Sequence, residues 1–304
     1  MIIAVLDHAG NLLRDDASKA IFPWWSFTKP VIAALVLRAA EKGLLDLDAR
    51  LPDWPFTTRQ LLQHRAGLRD YGPLPAYKTA VAQGIPPWPP SRMLAEAKAK
   101  ELAYPPGQGW LYSNIGFLLL RLELEKLHGC GLGQILRRDI LQPLGLSARL
   151  AETPEDFDAL HWDAKGYHPG WVYHGCLMGT AADAARLLHG LLTGSILTHA
   201  ARSSMLSQQM QAGPIPGRVW KETGYGLGIM NGTAEGAGRL IGHTGCGPFC
   251  ANLVARFPDL PGQPIAAAFV HGGNETPAEF AAVRAALEAA GSSSENTGYP
   301  GSEI

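Results

Sequence analysis

Ser26-Phe27-Thr28-Lys29 begins a helical pattern directly after the apolar and aromatic residues 21–25. Residues three apart share one face of a helix, so the Ser26 hydroxyl and the Lys29 amine come within hydrogen-bonding reach. A serine hydroxyl is a poor nucleophile until a base takes its proton, and lysine is such a base only where burial or positive neighbours lower its pKa. Ser26 is therefore a candidate nucleophile and Lys29 a candidate base, although this pattern alone is common by chance.

Strand patterns lie at both ends of the chain, on either side of a mostly helical middle. Residues 1–7 and 11–15 look like two short strands joined by the Gly-containing turn His8-Ala9-Gly10, and short apolar runs divided by Gly, Asn and Pro follow residue 216. One of these runs, residues 225–230, is itself predicted to be a strand. Antiparallel sheets commonly combine strands from distant parts of a chain, so the two ends are predicted to join in one sheet.

This distribution predicts an α+β fold in two lobes. Residues 1–25 and 216–291 are assigned to the sheet lobe, with a last helix at its end, and residues 26–215 to a mostly helical lobe. Residues 292–304 are rich in Ser and Gly and are predicted to be a disordered tail. A cleft between the lobes is the expected place for a site.

A second motif, Tyr112-Ser113-Asn114, directly precedes another helical pattern. A phenol at Tyr112 could relay a proton to a leaving group, and the Asn114 amide could hold a substrate carbonyl. The plainer alternative is that Tyr112 packs in the core while Ser113 or Asn114 caps the helix. Taken alone, this motif favours the plainer alternative.

The third motif, His243-Thr244-Gly245, ends a predicted strand and is followed by Cys246. A strand edge flanked by glycine can offer backbone N–H groups to a bound molecule and lets that molecule lie close along it. An ordinary strand-to-turn transition with a structural histidine explains the same residues. This motif is therefore also weak alone.

In this order and at these separations, the three motifs resemble those of the penicillin-recognising serine hydrolases. That family includes class C β-lactamases, D-alanyl-D-alanine carboxypeptidases and family VIII-type esterases, with Ser-x-x-Lys followed by Tyr-x-Asn and by Lys-Thr-Gly or His-Thr-Gly. Residues 61–68 are similar to a family segment, with Ala66 in place of the usual serine, and so are residues 179–183. The resemblance spans about residues 26–258 and implies a β-lactamase/transpeptidase-like fold.

The resemblance implies an acyl-enzyme mechanism for a small amide, β-lactam or ester substrate, without a metal or other cofactor. Ser26 would attack the carbonyl carbon, and Lys29 would accept the serine proton. Tyr112 would pass protons to the leaving group and later take one from the deacylating water. The implied enzyme is a carboxylesterase or a D-Ala-D-Ala carboxypeptidase-like hydrolase.

The resemblance also implies the substrate-binding residues. Asn114 would orient the acyl side chain or the catalytic lysine, while His243, Thr244 and Gly245 would line the opposite wall. The backbone N–H of Cys246, together with that of the nucleophile, would form the oxyanion hole. Because neutral histidine binds a carboxylate less strongly than lysine does, His243 favours esterase or D-amino-acid peptidase chemistry over efficient β-lactamase action.

Composition excludes several partners for this chain of 304 residues. A net charge of −1 without basic runs gives no support for a nucleic-acid or membrane-surface partner, so a small-molecule substrate is expected. The N-terminus lacks the pattern of a secretion signal, and no run reaches the roughly 20 apolar residues that cross a bilayer. We therefore expect a cytoplasmic protein; the oligomeric state is not predicted.

Four cysteines are too few for a disulfide framework and fit no zinc spacing. Free thiols at Cys130, Cys176, Cys246 and Cys250 are the favoured interpretation, while a Cys246–Cys250 pair stays open.

Two further features keep alternatives open. Trp24 and Trp25 either shape an acyl pocket or only pack between the lobes. Residues 161–174, with three histidines among aromatic residues, are interpreted as a loop over the cleft rather than a zinc site, and simple packing is the remaining alternative. The competing class is a catalytically inactive binding or sensor module, whose signature would be loss of a motif residue, and none is lost.

Overall fold

Residues 1–194, 196–208 and 210–291 are the part of the chain that the computed structural model describes. The strands in this part are β1 Ile2–Leu6, β2 Leu12–Asp15, β3 Phe22–Pro23, β4 Arg149–Ala151, β5 Cys176–Gly179, β6 Met210–Ala212, β7 Trp220–Tyr225, β8 Met230–Ala234, β9 Gly238–Cys246, β10 Cys250–Arg256 and β11 Ile265–His271. The α-helices are α1 Thr28–Glu41, α2 Thr58–Leu62, α3 Pro75–Ala82, α4 Pro90–Glu96, α5 Asn114–His128, α6 Leu132–Leu136, α7 Ala181–Thr193, α8 His199–Leu206 and α9 Thr276–Ala289. The tail predicted at residues 292–304 lies outside the described residues.

Eight strands form one antiparallel sheet in the order β2-β1-β11-β10-β9-β8-β7-β6. The two chain ends meet where β1 pairs with β11, from Ile2 opposite Phe269 to Leu6 opposite Ile265. The predicted α+β fold, with an antiparallel sheet built from both ends of the chain, is therefore confirmed.

The central strands are apolar on both faces because helices cover the sheet on both sides. Ala4 and Leu6 of β1 pack in the cluster that contains α1 and α7, whereas Ile3 and Val5 pack in the cluster that contains α9. Although α7 comes from the middle of the chain, it lies against the sheet. The division into lobes at residues 25 and 216 stays a prediction.

A second sheet, in the order β3-β5-β4, fixes the backbone just before the nucleophile motif. Phe22 and Pro23 pair with β5, and the next amide, Trp24 N–H, donates to the Leu177 carbonyl at 2.7 Å. Strands of two to four residues are too short to show a periodicity of two, which explains why the sequence did not predict this sheet.

The strand predicted at residues 225–230 is wrong: β7 ends at Tyr225 and β8 begins at Met230. The residues between them form a turn in which Gly228, at φ +72°, donates its N–H to the Leu62 carbonyl. A Cβ at Gly228 would lie 2.5 Å from the Ala33 side chain, so glycine allows the turn to reach α1.

No helix within the described residues is both long and apolar enough to span a bilayer.

Candidate active site

Ser26 lies in a single 3-10 turn, Trp25–Phe27, that leads directly into α1. Trp25 has φ +47°, a left-handed conformation that is costly for a bulky side chain. The tight turn leaves Ser26 half-buried at the surface of a cleft while Lys29, one helical turn later, is completely buried. Strained backbone of this kind is common beside reactive groups.

Lys29 Nζ has three neighbours within hydrogen-bonding distance. They are Ser26 Oγ at 2.8 Å, Asn114 Oδ1 at 2.7 Å and His174 Nε2 at 3.3 Å. Burial holds the pKa of Lys29 well below its ordinary value, and the Asp70 carboxylate opposes that shift. This environment favours a neutral amine that can accept a proton.

Tyr112 donates its hydroxyl proton to Ser26 Oγ at 2.9 Å. Burial raises the pKa of Tyr112 above its ordinary value, more than the hydrogen bond to Ser26 lowers it, so the phenol stays protonated. With Tyr112 donating to Ser26 Oγ, the serine proton is free to point at Lys29 Nζ. The structure thus brings Ser26, Lys29 and Tyr112 together in one hydrogen-bonded group.

Asp70 fixes the orientation of the Asn114 side chain. Its Oδ1 accepts the Asn114 backbone N–H at 2.8 Å, and its Oδ2 accepts Asn114 Nδ2 at 3.0 Å. Because the amide nitrogen faces Asp70, the amide oxygen faces Lys29. Asp70 belongs to none of the three motifs, and no local pattern around it indicated a role.

Below this group, two buried histidines are joined through Tyr225, and their tautomers follow from their partners. His64 Nδ1 accepts the Ser113 N–H at 3.2 Å, so its Nε2–H donates to Tyr225 Oη at 3.1 Å. Tyr225 in turn donates to His243 Nε2 at 3.0 Å, and His243 Nδ1–H donates to the Thr244 carbonyl at 2.6 Å. Every hydrogen bond from Ser113 to Thr244 in this series therefore has an assigned donor and an assigned acceptor.

His64 and His243, the two histidines joined by Tyr225, are both uncharged. Burial lowers the pKa of His64 well below its ordinary value and that of His243 to about 3, and a proton on Lys29 lowers both further. His243 is completely buried, with both ring nitrogens hydrogen-bonded. It therefore offers no cation to a substrate.

The end of β9 forms the wall opposite α1. Gly245 lies so close to the nucleophile turn that a Cβ there would be 2.5 Å from the Trp24 carbonyl oxygen. Thr244 and Cys246 border the same cavity as Ser26. Cys246 and Cys250 are both free thiols, the first exposed and the second buried.

Two cavities meet at Ser26, Asn114 and Cys246. One, of about 430 Å³, is here called the arginine cavity; among its other lining residues are Trp110, Arg218, Trp220, Tyr225, Met230 and Glu275. The other, of about 410 Å³, is called the histidine cavity; among its other lining residues are Trp25, Tyr71, Tyr77, Tyr167, Val172 and His174. Ser26 can therefore meet a substrate whose two ends lie in separate spaces.

Both tryptophans before the nucleophile are buried, but their surroundings differ. Trp24 is fully enclosed and donates its indole N–H to the Gly179 carbonyl, whereas Trp25 packs edge-on against Phe249 and also borders the histidine cavity. Trp25 therefore both packs against its aromatic neighbours and shapes the histidine cavity.

The three histidines of residues 161–174 lie in three different environments. His161 packs edge-on against Phe22, His168 accepts the Gly170 N–H, and His174 reaches Lys29. Among the described residues, no cluster of three or more His, Cys, Asp or Glu side chains is arranged to hold a metal ion.

The family model for beta-lactamase matches residues 14–291, and the chain belongs to that family. The resemblance inferred from the three motifs is thereby confirmed. Proteins similar to this chain in sequence or in fold include a penicillin-binding protein, an esterase and a D-stereospecific amidohydrolase.

Two curated relatives cover different shares of the chain. Penicillin-binding protein 4* of Bacillus subtilis is 24% identical over 285 residues, which is 80% of this chain and 59% of that protein. Esterase EstB of Burkholderia gladioli is 29% identical over 185 residues, 54% of this chain and 45% of that protein. The chain thus spans about half the length of these relatives.

Solved structures show the same fold at low identity. An octameric penicillin-binding protein homologue from Pyrococcus abyssi superposes with a TM-score of 0.79 at 20% identity, covering 97% of this chain and 74% of that one. D-amino acid amidase from Ochrobactrum anthropi SV3 superposes with a TM-score of 0.77 at 22% identity, covering 95% and 94%.

Proposed function

We propose that the chain is a serine hydrolase that works through an acyl-enzyme, with Ser26 as nucleophile, Lys29 as base and Tyr112 as proton carrier. The observation that carries the proposal is the position of Ser26 Oγ, 2.8 Å from Lys29 Nζ and 2.9 Å from Tyr112 Oη. A buried, neutral lysine takes the serine proton, and a protonated phenol is available to give one.

The proposed reaction moves one proton around this group. Ser26 Oγ forms a bond to the carbonyl carbon while its proton passes to Lys29, and the carbonyl oxygen develops a negative charge. We assign the stabilisation of that charge to the backbone N–H groups of Ser26 and Cys246. Tyr112 then protonates the leaving group as its bond breaks and recovers a proton from Lys29.

Water hydrolyses the acyl-enzyme by the reverse path. As the water oxygen attacks the acyl carbon, the water proton passes to Lys29. The same base then returns a proton to Ser26 Oγ as the acyl bond breaks, which restores the hydroxyl, and Tyr112 relays the proton between water and lysine. Asn114, held by Asp70, keeps Lys29 in place in both halves of the reaction.

The charges of the arginine cavity support an ester or amide with an uncharged leaving group. Arg218 is the only cationic side chain among the described residues that line it, and it is bound by Glu279 on two nitrogens and by Glu275 at 2.8 Å. His243 is neutral and fully hydrogen-bonded. A penicillin or a D-Ala-D-Ala peptide brings a carboxylate that meets no free cation there, so both are proposed to be poorer substrates.

Intact-mass spectrometry with a short p-nitrophenyl ester and, separately, a penicillin tests the proposal. We expect an adduct or turnover with the wild type and with Ser203→Ala, whose serine is exposed on α8, and none with Ser26→Ala. The ester should turn over faster than the penicillin. Identical behaviour of the wild type and Ser26→Ala would instead support an inactive binding module, and a faster penicillin would contradict the uncharged leaving group.

A further inference from the structure

His174 is a buried histidine beside the candidate base, and the mechanism above makes no use of it. Its side chain comes from the turn before β5, is 2% exposed and places Nε2 at 3.3 Å from Lys29 Nζ. Its other nitrogen, Nδ1, is buried and makes no hydrogen bond of ordinary geometry among the described residues, although the Trp25 backbone acts to raise the pKa of the ring, as an acceptor does. A buried nitrogen without a good partner costs free energy, so the position of the ring calls for an explanation.

The ring is uncharged and can therefore accept a hydrogen bond. Burial holds the pKa of His174 well below its ordinary value, a proton on Lys29 lowers it further, and the Trp25 backbone opposes the shift. A neutral imidazole carries one hydrogen. Because the lone pair of a neutral Lys29 is taken by the Ser26 hydroxyl, Lys29 offers only N–H groups to His174, and the imidazole hydrogen belongs on Nδ1. Nε2 is then an acceptor aimed at Lys29.

The number of acceptors around Lys29 matches both protonation states of its amine. An ammonium has three N–H donors, and Ser26 Oγ, Asn114 Oδ1 and His174 Nε2 accept one each. A neutral amine has two N–H donors and one lone pair. With the two N–H groups directed at Asn114 and His174, the lone pair faces Ser26.

We propose that His174 is a positioning residue that holds one N–H of the neutral Lys29 and so directs the lysine lone pair at the Ser26 hydroxyl. This inference rests on the proposed function. Asn114 alone would leave the amine free to rotate about the end of its side chain, because one hydrogen bond does not fix the direction of a lone pair. His174 removes that freedom before substrate arrives.

The same hydrogen bond affects the pH at which Lys29 becomes a base. A charged donor binds an acceptor more strongly than a neutral donor does, so His174 stabilises the ammonium and its removal lowers the pKa of Lys29. Asp70 is the carboxylate that acts on the lysine charge, and the remaining titratable groups that face Ser26 and Lys29 are His64, His243, Tyr112 and Cys176. Variants of His174 keep all of these side chains, so a difference between their pH profiles reports on the change at position 174.

Two substitutions separate positioning from packing. His174→Gln places an amide oxygen near the Nε2 position and keeps an acceptor, whereas His174→Phe keeps a planar ring and loses the acceptor. His199→Phe is the control, since His199 is exposed at the start of α8 and lines neither of the two cavities at Ser26. If the side chain only fills space, Phe is the better replacement.

The measurement is the rate at which a fluorophosphonate labels Ser26 between pH 5 and 10, with folding checked by thermal unfolding. We expect His174→Phe to label about 10- to 100-fold more slowly, with the acid limb moved to lower pH, and His174→Gln to stay within about threefold of the wild type. His174→Leu carries the same expectation as Phe and replaces it if Phe does not fold.

Wild-type labelling in His174→Phe, or equal loss in the Phe and Gln variants, would overturn the positioning role. Failure of the proposed function looks different, because Ser26 of the wild type would then not be labelled at all.

Discussion

Asp70 acts on Lys29 through the Asn114 amide. Each of its carboxylate oxygens accepts one N–H of Asn114, and in Asp70→Asn an NH2 group would face one of those donors. We expect this variant to lose about tenfold or more in ester kcat/KM, because the amide oxygen no longer holds the lysine amine. Since the carboxylate raises the pKa of Lys29, the acid limb should also move to lower pH.

A pH profile of ester turnover checks both effects. Asp46→Asn is the matched control, because Asp46 is exposed, accepts the Asp48 N–H and lines neither cavity at Ser26. An unchanged rate and an unmoved acid limb in Asp70→Asn would show that Asn114 keeps its orientation without the carboxylate.

The Tyr225 hydroxyl hydrogen-bonds to both His64 and His243 and so joins the two rings. Tyr225→Phe leaves a buried donor on His64 and a buried acceptor on His243 unpaired. Each orphaned group costs about 1 to 3 kcal/mol, so we expect the free energy of unfolding to fall by about 2 kcal/mol or more. Urea denaturation measures the free energy of unfolding, with Tyr104→Phe as a half-exposed control. Equal losses in the two variants would contradict a stabilising role for the His64–Tyr225–His243 hydrogen bonds.

At the scale of elements, β9 and the turn Trp25–Phe27 approach each other closely enough to exclude a side chain. A methyl group at Gly245 would lie 2.5 Å from the Trp24 carbonyl oxygen, well inside van der Waals contact. We expect Gly245→Ala to push β9 away from Ser26 and to slow labelling of Ser26 by about tenfold or more.

Gly213→Ala is the control for this change, because a Cβ at Gly213 meets nothing within 4 Å. Labelling rates of the two variants and the wild type are compared at one pH. A Gly245→Ala variant that labels as fast as Gly213→Ala would mean that β9 can shift without disturbing the site.

The elements that the sequence predicted well are those with a complete local signal. Apolar spacing indicated α1, and two short runs on either side of a Gly-containing turn indicated β1 and β2, because both signals lie in neighbouring residues. By contrast, β3 to β5 are too short to repeat a pattern, and the turn after Tyr225 depends on a tertiary contact of Gly228 with α1.

The same distinction applies to the candidate site. Ser26 and Lys29 are neighbours on one helix, so their spacing predicted their contact. Asp70 and His174 reach the group from segments 44 and 145 residues away from their partners, and no local spacing signals such contacts. Tyr225 was predicted only as part of a strand, because its partners His64 and His243 are 161 and 18 residues away along the sequence.

At the scale of the whole molecule, three uncharged histidines lie in the interior around Lys29. The pKa values of His64, His174 and His243 are all lowered by burial, in the last case to about 3. An unfolded chain exposes these rings with pKa values near 6.5, so below that pH it binds protons that the folded state does not bind. Stability from these groups is therefore complete above about pH 6.5 and is lost as the pH falls below it.

Each such histidine lowers the free energy of unfolding by up to about 1.4 kcal/mol per pH unit below its unfolded pKa. We expect urea denaturation between about pH 6 and 4.5 to show a steep loss for the wild type, and a slope shallower by about 1.4 kcal/mol per pH unit for His174→Gln. His199→Gln should parallel the wild type, because His199 is exposed at the start of α8. Equal slopes for all three proteins would mean that His174 is protonated in the folded state, where a cation cannot accept the Lys29 N–H.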